Sequence, residues 1–330
     1  MHEATTPGGL PDTITPLGDE IFAIDTKMAG YEGITSSYLI RTERPCVVEV
    51  GTAGSAPVLH DALTRLGVSP QDLATVVVTH IHLDHAGGTG DIARLFPNAE
   101  IVVHERGARH LADPSRLMRS ARMVWGERLD VLFGEMSPTE ATRIRAVDTG
   151  GEIDLGGGRR LTAYYSPGHA KHHVGLVDSA TGDLYVGDAV GVYNPHTGDV
   201  RPATPPPDFD LDAGLESLRL FGDISPRRLM FSHFGAVEKV EETLERAVVE
   251  LRAWVEAVRK ARTSSAGDLD HAVAMVREQV RRRYRPLPED APADSQRVLE
   301  ILSGVEGNVA GISHWLDQVE ADQAADRSAR

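Results

Sequence analysis

Short apolar and β-branched runs alternate with amphipathic stretches through the first two thirds of the chain, and only the amphipathic stretches continue beyond residue 237. The runs at 21–25, 37–41 and 46–50 are bounded by turn residues and predict strands. Residues 56–66 place Leu59, Leu63 and Leu66 on one face and predict a helix. A strand at 74–79, a histidine-rich loop, a helix at 91–96 and a strand at 100–103 follow. Strand patterns resume at 160–165, 174–177, 184–186 and 228–231, with a helix predicted at 210–221 between the last two. The remainder reads as helices at 240–262, 268–283, 295–303 and 309–319, ending in a small, polar tail at 320–330 that is expected to be frayed or disordered. Strands alternating with helices and then helices alone predict an α/β domain with a helical C-terminal extension.

Two segments break the alternation. Residues 105–142 read as irregular helix, rich in Arg, with Met118, Met123, Trp125 and Phe133 at mixed spacing. Such an insertion either packs its apolar residues onto the body or forms a lid over a substrate pocket. Residues 201–207, Arg-Pro-Ala-Thr-Pro-Pro-Pro, predict a stiff loop, because each proline removes a backbone donor.

Composition narrows the partners. A hydrophobic content of 41% suffices for a buried core, and a net charge of −15 argues against nucleic acid or an anionic membrane as partner. No apolar run approaches the roughly 20 residues that span a bilayer, and the first twelve residues lack the apolar core of a signal peptide. The expectation is a cytoplasmic protein acting on a small molecule. Cys46 opens an apolar strand pattern, which predicts a core residue rather than a reactive thiol.

Chemistry concentrates in Thr79-His80-Ile81-His82-Leu83-Asp84-His85-Ala86-Gly87-Gly88. The preceding Thr75-Val76-Val77-Val78 is a buried-strand signature, so this loop follows a strand's C-terminal end, where α/β sheets place ligand-binding groups. His80 and His82, two residues apart, leave an extended backbone on the same side. Asp84 and His85 follow on the turn and can aim at a second point. Three imidazoles and one carboxylate suit zinc, and also iron or manganese. Three more strand ends carry ligand types: Gly168-His169, Gly187-Asp188 and Ser232-His233. Each is weak alone; together they supply what two metals with open positions need.

The order His-x-His-x-Asp-His, Gly-His, Gly-Asp and a late Ser-His resembles the metallo-β-lactamase superfamily, and within it the glyoxalase-II-like branch of thioesterases and lactonases. The resemblance, over roughly residues 15–262, implies a four-layer αββα sandwich for a domain at 13–262, and the helices-only pattern beyond it gives a helical extension at 263–319. It implies one divalent metal, zinc being favoured, on His80, His82 and His169, and a second on Asp84, His85 and His233, with Asp188 bridging them. The implied reaction is hydrolysis of a small thioester or ester-like substrate by a metal-bridging hydroxide, with Asp84 orienting the nucleophile and relaying a proton. A lactone or phosphodiester would fit the same site, and a mononuclear iron sulfur dioxygenase is the redox alternative. Asp188 stands where many zinc β-lactamases have cysteine, which disfavours antibiotic hydrolysis. Gly168-His169-Ala170-Lys171-His172-His173 and Glu49-Val50-Gly51 depart from glyoxalase II and weigh against a glutathione thioester.

Around this set, His173 is expected to fix ligand orientation, and His172 to be exposed. Tyr193 either packs or donates to a substrate oxyanion, and Arg201, on the proline-rich loop, is a candidate for an acidic substrate group. His104, His110 and His196 have only surface or core roles by default. Arg281, Arg282 and Arg283 fit a helix C-terminus, and the Ile312, Trp315 and Leu316 face serves either the catalytic domain or a homodimer.

Overall fold

In the computed structural model the structure describes residues 10–265, 268–289 and 291–328. Residues 1–9 of the polar N-terminal stretch and the last two of the tail lie outside the described residues. The chain divides into two compact units. The first comprises Met1–Tyr165, His172–Gly187 and Pro226–Glu238, and the second Ser166–Lys171, Asp188–Ser225 and Lys239–Arg330.

Strands β1 (Ile14–Gly18), β2 (Ile21–Asp25), β3 (Ser36–Ile40), β4 (Cys46–Val48), β5 (Thr75–Val77), β6 (Glu100–His104) and β7 (Ile144–Val147) form one sheet in chain order. It is antiparallel from β1 to β4 and parallel from β4 to β7. The central β4 and β5 are buried throughout, which explains their unbroken apolar runs. In chain order the remaining strands are β8 (Glu152–Asp154), β9 (Arg160–Tyr165), β10 (Val174–Asp178), β11 (Leu184–Gly187), β12 (Val192–Asn194), β13 (Asp199–Arg201), β14 (Leu229–Phe231) and β15 (Gly235–Val237). The second sheet of the first unit runs β15-β14-β11-β10-β9-β8, antiparallel except for β11 beside β14. Buried Asp183 fastens that parallel pair. It accepts from Arg228 Nε (3.0 Å) and Nη2 (2.7 Å) at the start of β14, the strand that leads to His233. The two sheets share one core, with Tyr38, Ile40, Val48, Val77 and Val102 from the first meeting Leu161, Ala163, Leu176, Tyr185 and Met230 from the second. Cys46 is part of it, and burial pushes its thiol well above the usual range, which leaves it unreactive.

Helices of the first unit are α1 (Ala56–Arg65), α2 (Leu83–Ala86), α3 (Thr89–Leu95), α4 (Glu105–Ala112), α5 (Ser115–Trp125) and α6 (Arg128–Leu132). The last three make up the irregular segment. α5 buries none of its residues and leaves Met123 82% exposed, so packing onto the body accounts for Phe133 but not for Met123. His104, which sequence pattern left without a partner, is buried and caps α4 through Arg106 N (3.2 Å).

The second unit holds the β12–β13 hairpin, α7 (Leu211–Ile224), α8 (Val240–Ser264), α9 (Leu269–Arg283), α10 (Ser295–Ser303) and α11 (Val305–Ser328). α8 packs against α7, α9 and α11, burying Leu244, Leu251, Trp254, Val255 and Val258 at helical spacing. Ile312, Trp315 and Leu316 are buried as the pattern requires, within a helix that packs on α8 and α9. α11 starts at Val305 and runs to Ser328, so residues 320–328 are helical rather than frayed; Arg262 pairs with Asp317 and Glu320 of this helix. Arg201 ends β13 instead of lying on the proline-rich loop. It is buried, with its guanidinium 4.3 Å from the Tyr284 ring centroid. Among the described residues no helix is long and apolar enough to cross a membrane.

Candidate metal centre

The parallel β4–β5–β6 arrangement brings the C-terminal ends of β4 and β5 side by side, and the histidine loop leaves β5 there. Its close turn depends on Gly87 and Gly88: a Cβ on Gly87 would meet Leu83 O at 2.2 Å, and one on Gly88 Thr52 O at 2.9 Å. Val50 N donates to His85 O (3.0 Å) and ties the loop back to the end of β4. α4 closes it from the other side, since a Cβ on Gly107 would lie 2.7 Å from Ile81 Cγ2.

Asp84, His85 and His233 converge. His85 Nε2 and His233 Nε2 lie 3.2 Å apart, and Asp84 Oδ2 lies 3.8 Å from the first and 3.5 Å from the second. Tetrahedral ligands at roughly 2.0–2.1 Å from a zinc ion sit about 3.3 Å from one another, close to this triangle. The far side of each imidazole is held by an acceptor. His233 Nδ1 donates to Ile34 O (2.6 Å), and His85 Nδ1 faces Glu49 Oε2 (3.2 Å). With the proton on Nδ1, the Nε2 lone pairs point inward, the arrangement that metal-binding histidines require. The donor chemistry and the geometry therefore both fit a divalent cation.

His80 and His82 form the other part of the loop. His80 is buried, its Nδ1 3.0 Å from Thr79 Oγ1 and its Nε2 3.1 Å from His82 Nδ1. Behind it lies His173, fully buried, with its ring centroid 5.1 Å from that of His80. His172 is half-buried rather than exposed. Its Nδ1 accepts from Ile81 N (3.4 Å) and its ring stacks on His80 at 6.1 Å, because the turn before β10 passes directly over the loop. In the second unit, His169 Nε2 lies 3.6 Å from Asp188 Oδ2, and its Nδ1 donates to Ala203 O (2.9 Å). Tyr193 lies half-buried in β12, paired in register with Val200.

Glu49 was not among the predicted functional residues. It is 2% exposed, accepts from Thr79 N at 2.8 Å and holds His85, so one carboxylate fixes both the start of the loop and a ligand within it. Its signal in the sequence was an acidic residue at a strand end, two positions before a glycine.

The fold thus combines two facing sheets with imidazole and carboxylate groups that could hold a metal ion, gathered beyond strand ends. The family model described as Metallo-beta-lactamase superfamily matches residues 30–233, and the chain belongs to that superfamily. It is 32% identical over 166 residues to the metallo-beta-lactamase fold-containing protein ST1585 of Sulfurisphaera tokodaii, covering 49% of this chain and about 60% of that relative's length. The crystal structure of ST1585 superposes with a TM-score of 0.66 at 21% identity, over 90% of this chain and 99% of that one, which places this chain in the α/β metallo-β-lactamase fold. An atrochrysone carboxyl ACP thioesterase of Aspergillus chevalieri is 26% identical over 88% of this chain and 80% of its own. The N-acyl homoserine lactonase AttM of Azorhizobium caulinodans is 27% identical over 49% and 52%.

Proposed function

We propose that this chain is a binuclear metal-dependent hydrolase of the glyoxalase-II-like kind, cleaving a small thioester or ester-like substrate. The observation that carries the reading is the Asp84, His85 and His233 triangle, with both imidazoles anchored at Nδ1. In the proposed assignment His80, His82 and His169 hold one ion, Asp84, His85 and His233 the second, and Asp188 serves both. Nitrogen-rich donor sets of this type favour zinc over the harder magnesium or calcium. Two such cations, when bound, supply Lewis acidity and bring the pKa of water towards neutrality. The chain's residues do the rest. Glu49 and the Ile34 carbonyl keep His85 and His233 in the ligating tautomer. Asp84, with its side chain 25% exposed, reaches solvent and can pass a proton to the departing thiol or alcohol. The resemblance to an acyl carrier thioesterase over most of both chains favours a thioester; the shorter match to a lactonase makes lactones the first competitor.

Elemental analysis of purified protein and turnover of acyl-thioester, N-acyl lactone and phosphodiester panels test this. The expected result is about two metals per chain, thioesters as the best substrates, and a loss of at least about 100-fold in kcat/KM for His233→Ala. Less than one metal per chain, with turnover unchanged in His80→Ala, would refute it. Oxygen uptake with a persulfide on iron-loaded protein would instead establish the dioxygenase.

A further inference from the structure

We infer that Asn308, on the C-terminal helix, is a positioning residue that sets the tautomer of His169. This rests on the reading of His169 as a metal ligand. Among residues 202–207, four are prolines, so only Ala203 and Thr204 carry a backbone N–H. Such a loop cannot be fixed by a strand ladder and must be held from outside. Asn308 does so from α11. Its Oδ1 accepts from Thr204 N (2.6 Å), and its Nδ2 donates to Pro202 O (3.1 Å). These two bonds bracket Ala203, whose carbonyl oxygen receives the His169 Nδ1 proton at 2.9 Å. Thr204 Oγ1 adds a third link to Asn308 Oδ1 at 3.0 Å.

The approach of helix to loop is specific. Asn308 is 5% exposed and Thr204 fully buried. One turn further on, a Cβ at Gly311 would lie 1.9 Å from Thr204 O, so glycine alone permits this contact. A carbonyl held on both sides keeps the proton on Nδ1 and the lone pair on Nε2, the atom that faces Asp188. α11 lies outside residues 30–233, the span matched by the family model, so the device belongs to this chain's extension.

The test compares Asn308→Ala, Asn308→Asp and His169→Ala by ¹⁵N NMR of the imidazoles in metal-stripped protein and by Zn²⁺ titration against a chromophoric chelator. Asn308→Asp keeps the acceptor for Thr204 N and loses the donor to Pro202 O, so it provides a graded variant should Asn308→Ala fail to fold. Expected in Asn308→Ala are a mixture of His169 tautomers and a roughly 10-fold weaker affinity for one of two Zn²⁺ ions, with Asn308→Asp intermediate. A single Nδ1–H tautomer and wild-type Zn²⁺ affinity in both Asn308 variants would overturn the inference. Full Zn²⁺ binding by His169→Ala would remove His169 from the ligands and refute the metal role, while the tautomer signal would still decide whether Asn308 orients the ring.

Discussion

Replacing Glu49 by Gln separates the orientation of a ligand from the integrity of the loop. In the native chain Glu49 Oε1 accepts from Thr79 N (2.8 Å) and Oε2 faces His85 Nδ1 (3.2 Å), all within the interior. The Gln side chain keeps an acceptor for Thr79 N but presents an NH₂ group to His85. Two donors cannot face each other, so the ring must expose its Nδ1 lone pair and move the proton to Nε2, the atom that points at His233. A charge-assisted hydrogen bond of about 1.5–3 kcal/mol is lost from the ligating form, which converts to a roughly 10–100-fold weaker metal affinity. Glu49→Ala removes both bonds and strands the buried Thr79 N–H, which adds about 1–3 kcal/mol of fold destabilisation that the Gln variant avoids. Urea unfolding of metal-stripped protein and Zn²⁺ competition titration read the two effects apart. The expected pattern is near-native stability with weak Zn²⁺ binding for Gln, and loss of both for Ala. Native Zn²⁺ affinity in Glu49→Gln would show that His85 is not oriented in this way.

Gly187→Ala should be among the most damaging single substitutions in the first unit. Gly187 has φ +49°, and its Cβ would lie 2.3 Å from His173 Nε2 and 2.5 Å from Thr79 Oγ1, both buried, so a loss of roughly 2–4 kcal/mol and a fall of several degrees in Tm are expected; a Tm within a degree of wild type would contradict the packing. Asp25 predicts a pH dependence opposite to that of a salt-bridged carboxylate. Burial raises its pKa from 3.8 to about 6, against the lowering effect of hydrogen bonds from Lys27 N and Gly33 N. The folded state therefore holds this proton more tightly than the unfolded chain. Its contribution is greatest below about pH 4 and falls by up to about 3 kcal/mol as pH rises to 6. The difference in unfolding free energy between wild type and Asp25→Asn, measured from pH 4 to 7, should change by that order, and a flat difference would exclude the buried titration.

The metal loop was legible because its signal is local. The β-branched run Thr75-Val76-Val77-Val78 favours a strand, observed at Thr75–Val77, and two-residue spacing sets His80 and His82 on one side of an extended chain. The amphipathic helices were legible for the same reason, down to the buried Ile312, Trp315 and Leu316 face. Short edge and hairpin strands such as β1, β8, β12 and β15 were missed, since three to five residues with mixed burial carry little periodicity. The exposure of His172 was misjudged because exposure depends on which segment packs over a residue, and Arg201 ends β13 rather than opening the proline-rich loop. What the sequence by itself determined is the superfamily, the type of each donor and its position at a strand end. What only the tertiary structure decided is which acceptor stands behind each imidazole: Glu49 lies 36 residues from His85, Ile34 199 residues from His233, and Asn308 104 residues from the Thr204 that it holds. Hydrogen bonds between groups so far apart have no periodicity to announce them, and in the proposed metal site they would fix the tautomers of the ligating imidazoles.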